Sequence, residues 1–508
     1  MKIKIIIYSL VAVALSLTSC KDFLTEIPES ALTQDNFYTT PTRINQGVLG
    51  CYAGLATLQK EEWMFTELRS DNTCQDNPAT TNVERRDQAD LSFFRVSSSF
   101  VAMENYWYAT FQNIANINSV LPSVTDNRYV SIESQRAQYE SELLFLRAYH
   151  YYNLVNLFGD MFKVTSIMGP NEAKKTPRSP VSEIYNEIII PDLIKAQAAP
   201  AAYSDQEKGR ITVWAVKSLL AKVYMMQGGS ENLAKAKTLL EEVIAAPQHG
   251  LVTPYSAIFQ TSNEMNREII FAVRYKGGSD GVGSPFWNRF APAGSATRFV
   301  KRGTPSGYNT PTFEIMSLFN ADPTDTRADA CFRVWQRSAD AALPYISKYI
   351  DDAIEQAMQA ENDWIVIRYA DVKLLYAEVL AQDGNHATAH IPVNEIRTRA
   401  GISALNAFSS KEDALDAVYA ERRLELAFEN HRWFDLLRMN KSYNNPNKAM
   451  SVLKYHTFTC DWDALYNEYS ALPKPEEINF INERLLLPIP QWEIDTNNEI
   501  NIPQNPTY

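Results

Sequence analysis

Between Glu421 and Lys441 the chain reads ERRLELAFENHRWFDLLRMNK, with acids and bases recurring three and four residues apart. Glu425 and Glu429, four apart on a helix, would hold two carboxyls roughly 6 Å from one another, near the ~5 Å separation of a retaining glycosidase. That chemistry needs one carboxyl kept protonated by apolar surroundings, whereas Arg422 and Arg432 beside the pair favour the ionised form. The spacing instead predicts a structural ion network of i,i+3 pairs: Arg422 with Glu425, Glu429 with Arg432, Arg432 with Asp435, and Asp435 with Arg438. Leu424, Ala427, Phe428 and Phe434 on one side, with Leu426, Trp433 and Leu437 on the other, make the stretch read as one long helix for the inside of a core.

Other reactive constellations are incomplete. Six histidines form no H-E-x-x-H, and no G-x-S-x-G or Ser/His/Asp order stands out. His386 and His390 are four apart but lack a glutamate at the second motif position and an obvious third ligand, so they read as a solvated face rather than a metal site. Gly277–Gly283 (GGSDGVG) has no following Lys-Ser/Thr and reads as a flexible loop, not a phosphate cradle. No catalytic residue, metal or cofactor is predicted. The five cysteines, at 20, 51, 74, 331 and 460, are too scattered for a zinc site or a disulfide scaffold; with Cys20 set aside, the pairing of the other four is open.

A different chemistry is on offer in two stretches without helical period, Thr66 to Phe100 and Gly277 to Arg337. Loops carried on a rigid frame are where binding residues concentrate. Phe94, Trp287, Tyr308 and Trp335 would supply flat apolar faces for sugar rings, and Arg95 and Arg289 planar donors for hydroxyls or carboxylates. The basic neighbours Arg298, Lys301 and Arg302 tilt the expected ligand towards an anion, such as a uronic-acid-bearing glycan or a peptide carboxylate. The bland alternative is that the aromatics fill the core beneath the loops.

The elements that must hold these loops are helices. With 508 residues, 45% hydrophobic, the chain can bury one large core or two ordinary ones. Its 60 acids against 48 bases give a net charge of -12 without long blocks, which argues against a nucleic-acid binder. Helical pairs recur: Glu142 to Leu157 with Val181 to Ala198, Val213 to Gln227 with Asn232 to Ala246, and Ile367 to Gln382 with Ala387 to Ala400. Each first helix carries a small residue and a large one three later (Ala148/Tyr151, Ala221/Tyr224, Ala377/Leu380), similar to the degenerate tetratricopeptide pattern. Pro191 and Pro392 should kink or restart their helices. The fold class is therefore mainly α: an irregular tetratricopeptide-like scaffold of helical pairs over residues 41–508, with long inserted loops and short strands.

Ahead of it, Lys2 and Lys4 precede an apolar run from Ile5 to Leu17 that is too short to span a bilayer, and Leu17-Thr18-Ser19-Cys20 resembles a bacterial lipobox. Residues 1–19 read as a lipoprotein signal peptide, Cys20 as the lipidated residue, and 20–40 as a tether.

Several stretches resemble one family. E-R-R-x-E-L-x-F-E-x-x-R-x-F-D-L-x-R from Glu421, Leu146-Arg147-Ala148-Tyr149 through Gly159-Asp160, Gly209-Arg210-Ile211-Thr212, Ile367-Arg368-Tyr369-Ala370-Asp371 and the closing LLPIPQWEIDTNNEINIPQNP are similar to the SusD/RagB outer-membrane nutrient-binding lipoproteins. The resemblance implies a non-catalytic protein, anchored by lipid to the outer membrane at the cell surface. Such a protein captures an oligosaccharide or polysaccharide and passes it to a TonB-dependent SusC-like transporter. The RagB branch implies a peptide ligand as the alternative. Outside those readings stand a structural subunit of a transporter complex and, on the Glu425/Glu429 pair, a glycosidase.

Overall fold

The computed structural model describes residues 37–75, 82–338, 341–459, 484–497 and 499–508. The expected signal peptide, Cys20, most of the tether and Cys460 lie outside the described residues. Cys51, Cys74 and Cys331 are buried free thiols.

The frame is helical. Helix α1 (Pro41–Thr66) starts on Thr40, whose hydroxyl accepts from the Arg43 amide, with Pro41 at the first position where no amide bond is lost. Strand β1 (Thr73–Cys74), α2 (Val83–Ser92), α3 (Val101–Thr125) and α4 (Glu133–Phe158) follow. A small hairpin, β2 (Met161–Phe162) with β3 (Arg178–Ser179), leads to a helical stretch from Val181 whose π-turn at Tyr185–Ile189 gives way to α5 (Ile190–Ala196) at Pro191. Then come α6 (Val213–Gln227), α7 (Ser230–Ile244), β4 (Ile269–Val273) and α8 (Phe286–Phe290). After β5 (Thr310–Pro311) and α9 (Phe313–Asn320), strands β6 (Phe332–Ser338) and β7 (Ala341–Ile346) form a hairpin. The last part holds β8 (Trp364–Arg368), α10 (Tyr369–Gln382), α11 (His390–Ala400), α12 (Lys411–Glu425), α13 (Arg432–Ser442), α14 (Lys448–Thr459) and α15 (Gln491–Thr496).

Successive helices stack: α1 on α3, α3 on α4, α4 on α5, α6 on α7, α7 on α10, and α10 on both α11 and α12. The small-then-large positions lie in these seams, with Ala148, Ala221 and Ala377 fully buried and Tyr151, Tyr224 and Leu380 buried beside them. Pro392 sits in the first turn of α11, which restarts after a 3-10 turn at His386–Thr388. The mainly α, helical-pair architecture with short strands is what the periodicity predicts.

Three expectations need correction. The stretch 421–441 is two helices: α12 ends at Glu425, and Phe428 and Asn430 take positive φ (66° and 65°) before α13 begins at Arg432. The apolar groups around its circumference are therefore divided: Leu424 in α12, Leu426, Ala427 and Phe428 in the turn, and Trp433, Phe434 and Leu437 in α13. Residues 364–368, expected to open a helix from Ile367, are a strand paired antiparallel with β4. And 67–75, polar and without period, is not a surface loop: every residue from Glu67 to Gln75 is buried, as a strap under the helices.

Candidate functional site

The strap and the two helices meet because each supplies charges the other lacks. Arg368, at the end of β8 and fully buried, donates to Glu425 (2.6 Å), Glu429 (2.8 Å) and Glu268 (2.8 Å). Arg399 also bonds Glu425, Arg327 reaches Glu421 (2.5 Å) and Glu425 (3.2 Å), and Lys348 holds Glu429 at 2.5 Å. On the neighbouring side Arg422 bridges Asp371 and Asp435 (2.9 and 2.8 Å), and Arg438 joins Asp435 to Glu378 (2.8 and 2.6 Å). Arg423 and Arg432 both reach into the strap at Asp71.

Of the four i,i+3 pairs expected within 421–441, one forms, Asp435 with Arg438. Arg422, Glu425, Glu429 and Arg432 turn instead to Asp371 and Asp435, to Arg327, Arg368 and Arg399, to Arg368 and Lys348, and to Asp71. Burial alone would raise the Glu425 carboxyl, but Arg399, Arg368 and Arg327 outweigh it and hold it at about 2; Glu429 is likewise pulled down by Arg368 and Lys348. Two ionised, inaccessible carboxylates are the opposite of what a general acid requires.

The six residues expected to hold ligand separate into two groups. Phe94, at φ 56°, is 1% exposed and lies under the Arg69 guanidinium, which is clamped between it and Trp433. Trp287, also 1% exposed, anchors a small core with Ala291, Val300 and Tyr345. Tyr308 is buried over Trp63 with Arg85 beside its ring, and Arg289 bolts α8 to α1 through the Lys60 carbonyl and the Glu61 carboxylate, both at 2.6 Å. These four point inward, so they brace the loops rather than face solvent. Arg95 is exposed across the Phe93 ring, and Trp335 is half-buried.

Trp335 marks a surface that sequence reasoning largely missed. Side chains alternate along the regular part of β6, so Arg333 and Trp335 share one face, while Arg337, the unpaired residue of a bulge between Gln336 and Ser338, sets its guanidinium beside Gly294. Opposite Arg333 in the register stands Tyr345. Phe299, from the loop before β5, meets Trp335 edge to face at 5.7 Å and Tyr345 at 5.1 Å, while Arg298 rides 6.0 Å from the Trp335 ring. The loop is fixed: Arg85 of α2 donates to the Ser306 and Gly307 carbonyls, and Asn288 to that of Arg302. β1 pairs with β5, so the two irregular stretches do meet. The signal for Arg333 was the R-V-W alternation with Trp335; the bulge at Arg337, Phe299 and Tyr345 offered none.

Among the described residues no three His, Cys, Asp or Glu side chains converge as a metal site, and a 3-10 turn separates His386 from His390. A second concavity, about 760 Å³ and mostly apolar, is lined by Phe37, Phe111, Phe162, Ile167 and Met168 with Glu493 as its charged group.

Residues 336–508 match a family model described as the SusD family, and residues 22–225 match one described as starch-binding associating with outer membrane. A SusD-like protein, P25, of Formosa agariphila is 27% identical over 481 residues, covering 86% of this chain and 90% of that protein. The starch-binding protein SusD of Bacteroides thetaiotaomicron is 23% identical over 74% of each. Among solved structures, a laminarin-binding SusD-like protein superposes with a TM-score of 0.74 at 25% identity, covering 93% of this chain and 100% of the other. A SusD superfamily protein from Parabacteroides distasonis gives 0.72 at 26%, covering 91% and 99%.

Proposed function

The chain is a member of the SusD family, and from that premise we propose that it is a carbohydrate-binding, non-catalytic lipoprotein that captures glycan at the cell surface. The observation that carries this reading is the Trp335–Phe299 pair on the β6–β7 hairpin, an aromatic step with guanidinium groups on both flanks. Aromatic rings stack on the apolar faces of sugars, and a rigid, pre-formed step limits the ordering cost of binding. The relatives named for laminarin and starch binding support a saccharide ligand. The buried, ionised state of Glu425 and Glu429 supports capture without cleavage.

On this reading Cys20 carries the lipid that holds the protein on the outer membrane, where acylation by more than one chain makes the anchor stable. The stacked helical faces then dock on a TonB-dependent SusC-like transporter, leaving the hairpin side open to incoming glycan. The test is affinity electrophoresis of the soluble chain through gels containing laminarin, starch or acidic polysaccharides. Retardation in at least one gel, abolished by Trp335→Ala and kept by Ile167→Ser at the apolar concavity, supports the reading. Retardation that Ile167→Ser removes and Trp335→Ala leaves intact moves the site elsewhere, and equal mobility in every gel overturns it.

A further inference from the structure

We propose that the β6–β7 face is built for anionic glycan, one that carries carboxylate or sulfate groups, and that Arg298, Arg333 and Arg337 are the groups that select it. The proposal rests on the carbohydrate reading and adds the charge class of the ligand.

In a chain with net charge -12, residues 281–313 hold Arg289, Arg298, Lys301 and Arg302 and no acid, and β6 adds Arg333 and Arg337, again with no acid. Arg289 is tied to Glu61. Arg298, Arg302, Arg333 and Arg337 are exposed, and among the described residues no carboxylate lies within ion-pair distance of any of them. Asp352 bears on the Tyr345 hydroxyl, to which Arg333 also hydrogen-bonds, and Lys301 is taken up by the Asp352 carbonyl.

Groups suited to neutral sugar hydroxyls are missing from the same face. Neutral sugars are held largely by carboxylates and amides that accept from vicinal hydroxyls, and here the amides are either bonded within the protein or buried. Asn288 accepts from the Met358 amide and donates to the Arg302 carbonyl, Gln336 donates to the Ser338 carbonyl, and Asn309 is buried. What remains towards solvent is aromatic and cationic. Guanidinium groups match carboxylate and sulfate oxygens in a planar, two-bond geometry that lysine cannot reproduce. Arg333 and Arg337 flank Trp335 in sequence, two residues to either side, with the bulge between Gln336 and Ser338 setting Arg337 beside Gly294. A polymer running along the strand would meet charge, ring, charge.

The overall negative charge repels polyanions at long range, so attraction must come from this local face and not from a general field. That separates selective recognition from the sticking of a basic protein.

The experiment uses gels containing polygalacturonate (carboxylate), carrageenan (sulfate ester), laminarin (neutral) and polyglutamate (an anionic peptide chain). Retardation by polygalacturonate, carrageenan or both is expected, with polygalacturonate alone assigning carboxylate and carrageenan alone assigning sulfate. The triple variant R298Q/R333Q/R337Q should weaken it at least tenfold while its melting temperature stays that of the parent chain. Retardation by laminarin alone overturns the inference and leaves the carbohydrate reading standing. Retardation by polyglutamate as strong as by either acidic glycan makes the face a peptide or general polyanion binder and overturns both. No retardation by either acidic glycan, or retardation that the triple variant retains, also overturns the inference.

Discussion

Two regions of this molecule are rich in arginine, and they use it in opposite ways. Around α12 and α13, Arg327, Arg368, Arg399, Arg422, Arg432 and Arg438 are buried, and each is matched by carboxylates. On the β6–β7 face, Arg298, Arg333 and Arg337 are exposed, with aromatic rings for neighbours. A buried guanidinium without a partner would cost several kcal/mol, so the first group must be structural. An exposed one beside a half-buried tryptophan, with no carboxylate in ion-pair distance among the described residues, can offer donors to a ligand. Partner supply, not residue type, separates scaffold from site.

The sharpest break in that comparison comes from the scaffold side. Arg368→Met leaves Glu425, Glu429 and Glu268 without their shared cation, and should cost about 3–5 kcal/mol or prevent folding, read from urea melts. A loss below about 1 kcal/mol would mean the network is dispensable. Trp287→Ala should cost nearly as much, about 3–5 kcal/mol, because it empties the small core under the loop. If its stability is unchanged and ligand binding is lost, Trp287 belongs to the site after all.

A smaller effect, on the order of a few kcal/mol, is expected from pH. Burial pushes Glu62 up to about 7 and Glu67 up to about 8, so the folded state holds their protons more tightly than the unfolded chain. Their contribution is complete below the unfolded value of 4.5 and fades as pH rises through 7 to 8. Glu425 and Asp435 are held at about 2 by their arginines against the opposing effect of burial, so their contribution is present near neutrality and fades as pH falls towards 2. Melting temperature should therefore peak at about pH 4–5, near the unfolded carboxylate values, and fall on both sides. Glu67→Gln should flatten the alkaline limb; an unaltered limb would contradict the assignment.

The smallest stability effect is expected where binding should suffer most. Trp335→Ala and Arg337→Gln should shift stability by no more than about 0.5–1 kcal/mol, since both side chains touch solvent. A large loss in either would move the hairpin from the site into the scaffold.

How far the sequence was legible follows the same division. Helix α6 runs from Val213 to Gln227 as its period predicts, and Pro191 and Pro392 restart their helices, because local pattern and local structure agree there. The 67–75 strap, part of a stretch expected to be a ligand-binding loop, is not legible as scaffold because its partners Arg423 and Arg432 come some 350 residues later, and a single sequence does not show which residues will meet. Phe94 and Trp287 were misplaced for a related reason. An aromatic in a loop looks the same whether the loop turns it out or, as the positive φ at Phe94 does, tucks it under Arg69. Trp335 could be found because it lies in a stretch whose period fades and whose composition turns to Gly, Pro, Ser, Arg and aromatics, where loops and short strands are expected.

The most direct test of this division is hydrogen–deuterium exchange of the soluble chain with and without galacturonate oligosaccharides, laminarihexaose being run alongside. Added protection confined to residues 294–302 and 332–346 for the acidic oligosaccharide, with 421–442 already slow to exchange and unaffected, is the result predicted. Protection appearing in 67–75 or 421–442, with the hairpin unchanged, would contradict it.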